Sequence, residues 1–195
     1  MTSEAEELLV SREDYLAGEL VAERKHEYVA GHVYAMAGGS ANHDTLAGNF
    51  RAEAGLGLKG KPCRPFGSDF LVRVPLPGGE EAFYYPDGMI VCSPVGGDDR
   101  HTDQAVVILE VLSESTRRKD EVQKLRDYFT LPSLQVYLLA EPDEPIIRVY
   151  RRGEDGFKLS LLQGMEAILR LPEVDLEVPL RELYRDVEFP PEGSA

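Results

Sequence analysis

The sequence predicts a mixed α/β (α+β) domain, a mixed β-sheet flanked by helices with additional antiparallel hairpins. Three observations carry this. Residues 105–112 form an apolar run broken only by Glu110, as expected of a strand buried on both faces. A helical pattern and a second apolar run, 134–140, follow, and strand–helix–strand implies one parallel crossover. Elsewhere short alternating stretches are separated by Gly and Pro turns, which implies antiparallel pairs.

The elements follow in order. Residues 1–10 are expected to be a flexible N-terminus, 11–187 a single domain and 188–195 a tail. Ser11 caps a first helix, with Asp14 completing an imperfect capping box and Tyr15, Leu16 and Leu20 as its apolar face. Residues 26–37 alternate around a turn at Ala30-Gly31-His32. Ser40 starts a helix to about Leu58, with Leu46, Phe50, Ala54 and Leu58 on one face. Gly60-Lys61-Pro62 ends it.

Residues 63–75 read as a strand region, Pro77 to Glu81 as a hairpin turn, 83–91 as its partner strand and 94–103 as a polar loop. Ser113, Glu114, Ser115 and Thr116 offer caps for a helix over 117–131. Val122, Leu125, Tyr128 and Phe129 form its predicted apolar face, and Pro132 stops it. Residues 146–151 and 157–162 make a hairpin across Gly153-Glu154-Asp155-Gly156, and Leu180 to Tyr184 a short helix.

The chain's 195 residues suffice for one domain with a real core. A formal charge of −14 argues against sequence-independent nucleic-acid binding, which rests on Lys and Arg neutralising phosphates. It leaves room for an enzyme that meets nucleic acid through a local basic patch and a metal. No apolar run approaches the roughly 18 residues of a membrane helix, and the acidic first residues do not read as a signal peptide. Cys63 and Cys92 lack metal-ligand spacing and read as reduced thiols of a cytoplasmic protein; a Cys63–Cys92 disulfide is the alternative.

Asp87 and Glu110 are the two carboxylates that stand out. Each lies at or in an apolar run, where an ionised acid is costly unless a cation pairs it. If their strands are neighbours, both acids converge at one sheet end, and a hard divalent cation would relieve their repulsion. The competing reading is that Asp87 caps a turn and Glu110 pairs with a core arginine.

Several segments carry a resemblance: Tyr85-Pro86-Asp87, Val107 to Ser113 with Ser115-Thr116, Asp120 with Lys124 and Tyr128, and Leu131 to Leu134. Arg148 to Arg152, Glu27 to Gly31, Ala35-Met36 and Gly67-Ser68-Asp69 add to it. In this ordered set the chain resembles the Uma-two family of endonucleases, within the PD-(D/E)XK restriction-endonuclease-like superfamily. The resemblance implies a restriction-endonuclease-like fold, DNA as substrate and Mg²⁺ (or Mn²⁺) as cofactor. It implies metal binding by Asp87 and Glu110, together with the Val111 carbonyl, and catalysis by Asp87, Glu110 and Lys124.

The superfamily's lysine lies two residues after the second acid, where this chain has Leu112; the resemblance assigns its role to Lys124 on the following helix. Lys119 is a second candidate. Glu27, His43, Asp69 and Asp120 are candidates for supporting roles or additional ligation, Glu27 having a surface-strand reading as its alternative. His26, His32 and His101 read as surface residues. Two further expectations stay open: a catalytically inactive binding or regulatory module with the same fold, and a homodimer formed through edge strands.

Overall fold

The computed structural model describes residues 9–113 and 117–191. Two sheets face each other, and each carries helices on its outer side. The first sheet has the order β2-β1-β5-β4-β7, from β1 (His26–Val29), β2 (His32–Ala35), β4 (Leu71–Pro75), β5 (Glu81–Tyr84) and β7 (His101–Thr102). The second has the order β11-β10-β9-β8-β6-β3. Its members are β3 (Arg64–Gly67), β6 (Gly88–Val91), β8 (Ala105–Val111), β9 (Val136–Ala140), β10 (Ile146–Gly153) and β11 (Gly156–Gln163). A hairpin, β12 (Ile168–Leu171) and β13 (Leu176–Pro179), forms a third small sheet.

The helices begin where the sequence signals. Ser11 accepts the Asp14 N–H at the start of α1 (Arg12–Glu19). Ser40 accepts the His43 N–H at the start of α2 (Ala41–Gly57), whose Leu46, Phe50 and Ala54 are buried. At the β1–β2 turn Ala30 and Gly31 both take positive φ, 47° and 94°, the conformation of a tight hairpin turn.

β8 explains why the crossover forms. It runs antiparallel to β6 and parallel to β9, and both its faces are covered. Val107, Leu109 and Val111 pack toward α2, β12, β13 and α4 (Leu180–Leu183). Ile108 and Leu112 turn the other way and meet Val72, Val74, Tyr84 and Tyr128 between the two sheets. A smaller cluster, Tyr15, Tyr28, Leu71, Phe83 and Tyr85, joins α1 to the first sheet.

The structure corrects several expectations. The strand expected over 83–91 divides: Tyr84 ends β5 in one sheet and Gly88 opens β6 in the other. Pro86, with no N–H to offer a ladder, sits in the break. The strand region 63–75 likewise divides between the sheets as β3 and β4. The β12–β13 hairpin was not foreseen.

The helix after β8 is not uniformly α-helical. Residues Lys119–Lys124 form a π-helical turn that runs into α3 (Leu125–Tyr128). Extra residues in a turn rotate the faces. Val122, expected inside, is 62% exposed, while Asp120, Lys124 and Asp127 are buried. The capping residues Glu114, Ser115 and Thr116 lie outside the described residues, as do 1–8 and 192–195.

Cys63 and Cys92 are joined by a disulfide, contrary to the reading as reduced thiols. Their spacing of 29 residues gives no local signal. The Arg64↔Val91 register of β3 and β6, continued by one residue, brings them face to face. The cytoplasmic assignment drawn from free thiols thereby loses its support. Among the described residues, no helix is long and apolar enough to cross a membrane.

Candidate active site

The break at Pro86 places Asp87 at the rim of the second sheet. Gly88 pairs with Leu109, so the register continued by one residue sets Asp87 opposite Glu110. Side chains opposite each other on antiparallel strands share a face. Asp87 Oδ2 accepts the Val111 N–H at 2.7 Å, fixing the carboxylate beside the strand that carries Glu110. The same oxygen lies 3.1 Å from His43 Nε2, supplied by the first turn of α2.

Glu110 is 2% exposed. Its Oε1 accepts from Lys124 Nζ at 3.0 Å and from the Tyr128 hydroxyl at 2.7 Å. Lys124 thus reaches back from the following helix, as the resemblance implies. Leu112, at the superfamily's lysine position, is fully buried between the sheets. Lys124 Nζ also lies 2.9 Å from Glu27 Oε1 and 3.4 Å from Asp120 Oδ1, and 5.5 Å from the Tyr84 ring centroid. Lys119 pairs with the other Glu27 oxygen. Glu27 is therefore a buried member of this cluster, not a surface strand residue.

Glu27, His43, Asp87, Glu110, Lys119, Asp120 and Lys124 line a recess of about 270 Å³ with Tyr34, Met36, Tyr85 and Val111. Asp69 is not part of it. It is exposed and pairs with Lys25. Of the residues expected at the surface, His26 pairs with Glu19 and the His101 ring stacks on Phe83 at 5.4 Å.

The electrostatics are those of an acid-rich site. Burial drives Glu110 well above the usual carboxylate range; Lys124 opposes this, and Asp120, Asp87 and Glu27 add to it. Burial acts to lower the proton affinity of Lys124, but Glu110, Glu27 and Asp120 hold it well above that of a free lysine. Burial would also raise Glu27, yet Lys124 and Lys119 together keep it below its ordinary value. Burial would lower His43, but the bond and charge of Asp87 raise it. Tyr128 is pushed up by burial and by Glu110, so it remains a hydrogen-bond donor.

Four carboxylates, Asp87, Glu110, Glu27 and Asp120, thus meet two lysines and one histidine. Hard oxygen donors in such an excess suit a hard divalent cation, which takes one or two carboxylates and completes its shell with water and phosphate oxygens. Among the described residues, no group of three or more His, Cys, Asp or Glu side chains forms a ready metal cage. The share this chain could offer is Asp87 and Glu110.

The sequence missed two supports. Tyr128 carries the resemblance, but its bond to Glu110 was not foreseen. Asp127 accepts from the Tyr84 hydroxyl at 2.6 Å, anchoring the ring beneath Lys124. A buried acid one residue before a buried tyrosine would have been the signal, had the helix faces been assigned correctly.

Comparison with known proteins bears on the family and the fold. Two uncharacterized proteins of Synechocystis are similar to the chain. The protein slr1290 is 32% identical over 184 residues, covering 92% of this chain and 94% of its own. The protein sll1609 is 30% identical over 164 residues, covering 82% and 90%. A crystal structure described as a putative nuclease belonging to DUF820, from Anabaena variabilis, superposes with a TM-score of 0.71. That match covers 90% of this chain and 97% of the other at 16% identity, a likeness of fold. Residues 12–183 match the model of the Uma2 family, described as "Putative restriction endonuclease". The chain belongs to the Uma2 family.

Proposed function

We propose that this protein is a metal-dependent endonuclease that hydrolyses phosphodiester bonds of DNA. The observation that carries the reading is the meeting of Asp87 and Glu110 at one sheet rim, with Lys124 held 3.0 Å from Glu110. In this reading Asp87 and Glu110 hold Mg²⁺, or Mn²⁺ in its place. Bound there, the cation supplies Lewis acidity toward the scissile phosphate.

The chain's own residues do the rest. The Val111 N–H and His43 fix the Asp87 carboxylate. The Tyr128 hydroxyl fixes Glu110, leaving Lys124 as the cationic donor that faces the developing negative charge on phosphorus-bound oxygens. Glu27 and Asp120 hold that ammonium in place.

The test is cleavage of plasmid DNA with Mg²⁺ or Mn²⁺ by the wild-type chain and by Asp87→Ala. Cleavage by the wild type, falling about a hundredfold in the variant, is expected; equal cleavage by both would sink the reading. A second reading, an inactive module with a nuclease-like fold, is favoured by one observation: Lys124 is already enclosed by three carboxylates. Calorimetry showing no divalent-cation binding would select it.

A further inference from the structure

Beside the recess lies a depression lined by Tyr34, Arg118, Lys119, Val122 and Gln123. Tyr34 and Lys119 border both, so the two are adjacent. From this geometry we propose that the depression holds one unpaired nucleotide of a nucleic-acid strand, beside the phosphate addressed by the recess. Its base would stack on Tyr34, and Arg118 would take the adjoining phosphate. The proposal rests on the nuclease reading of the neighbouring recess and names the form of strand it accepts.

The placement of Tyr34 follows from the sheet. Tyr34 lies opposite Glu27 in the β1–β2 register, so its ring emerges on the same face as the buried acid cluster. β2 is the outermost strand of its sheet. The ring has Lys119 Nζ 4.9 Å from its centroid, yet the residue remains 43% exposed. Val122, turned outward by the π-helical turn, adds an exposed apolar wall.

An aromatic ring and an aliphatic wall beside cations match a base and its phosphate. Stacking needs only the π-face that every base has, and a paired base inside a duplex does not present it.

The charges point the same way. Arg117 is engaged by Glu121 and Glu141, and Lys119 by Glu27. Arg118 is exposed and has no carboxylate partner among the described residues. Arg118, lining the depression with Lys119, offers a guanidinium suited to one phosphate. DNA and RNA share this chemistry.

The experiment is fluorescence anisotropy in EDTA, using full-length wild type, Tyr34→Ala, Tyr34→Phe and Arg118→Ala. The probes are a labelled single-stranded oligodeoxynucleotide of mixed sequence, the same sequence as RNA, and its DNA duplex. Circular dichroism checks that each variant is folded. The single strands are expected to bind more tightly than the duplex.

Tyr34→Ala should weaken single-strand binding about tenfold, while Tyr34→Phe retains it. Arg118→Ala should weaken binding and flatten its salt dependence by about 0.7 in the log–log slope. Whichever of DNA and RNA binds more tightly identifies the strand. Equal binding by Tyr34→Ala and wild type, or a wild-type preference for duplex, overturns the proposal. If the wild type still cleaves DNA with Mg²⁺ in that case, the nuclease reading survives it; a wild type that neither binds nor cleaves ends both.

Discussion

Two charge clusters share the helix over residues 117–128, and they differ in balance. At the surface, Arg117 and Arg148 meet Glu121 and Glu141 in four ion pairs, two cations against two anions. Inside, Lys119 and Lys124 face Glu27, Glu110 and Asp120, with the Asp87–His43 pair alongside. The surface set is neutral and ties the helix to β10 and to Glu141, just past the end of β9. The inner set carries more acid than base and borders a recess. A balanced network fastens; an unbalanced, buried one is held under electrostatic tension that a ligand can relieve.

The largest effect should come from breaking the inner set. Lys124→Met removes the ammonium that Glu110, Glu27 and Asp120 share, and the expected loss is about 3–5 kcal/mol in urea unfolding. A loss no greater than that of a surface arginine would erase the distinction.

The next effect is relief by metal. Mg²⁺ at about a hundred times its dissociation constant should stabilise the wild type by roughly 2.7 kcal/mol. Thermal melts should show the shift in wild type, lose it in Asp87→Asn, and keep it in Arg148→Met.

A smaller effect concerns pH. Glu27 lies below its ordinary value in the folded chain. Its contribution is therefore fully present above the usual carboxylate range and is lost as pH falls through its folded value. The stability gap between wild type and Glu27→Gln, measured by urea titration, should be constant at neutral pH and close on acidification. The smallest effect should be Arg148→Met, under about 1 kcal/mol and shrinking further in high salt, since its partners are part-exposed.

Much of this was legible in the sequence because the signals are local. The Ser11 and Ser40 caps, the face of α2, and the buried run of β8 each declare themselves within a few residues. Asp87 and Glu110 were visible as acids at apolar strands, and Lys124 through family resemblance.

What failed depends on distant partners. A strand pattern cannot say which sheet it joins, so the break at Pro86 was missed. The outward Val122 and inward Asp127 follow from a π-helical turn that apolar periodicity does not encode. Asp69, matched in sequence, lies exposed beside Lys25 and outside the lining of the recess. The disulfide emerged only when β3 and β6 were paired.

That covalent link has a bearing on the opposite end of the same strand. β6 runs from Gly88, next to Asp87, to Val91, next to Cys92. Sliding a strand by one position inverts which side every residue faces, and here it would turn Asp87 away from Glu110. Bolting Cys92 to Cys63 obliges β6 to carry β3 with it in any such slip. The sulfur bridge therefore acts as an alignment pin, keeping two acids aimed at one another from several residues away.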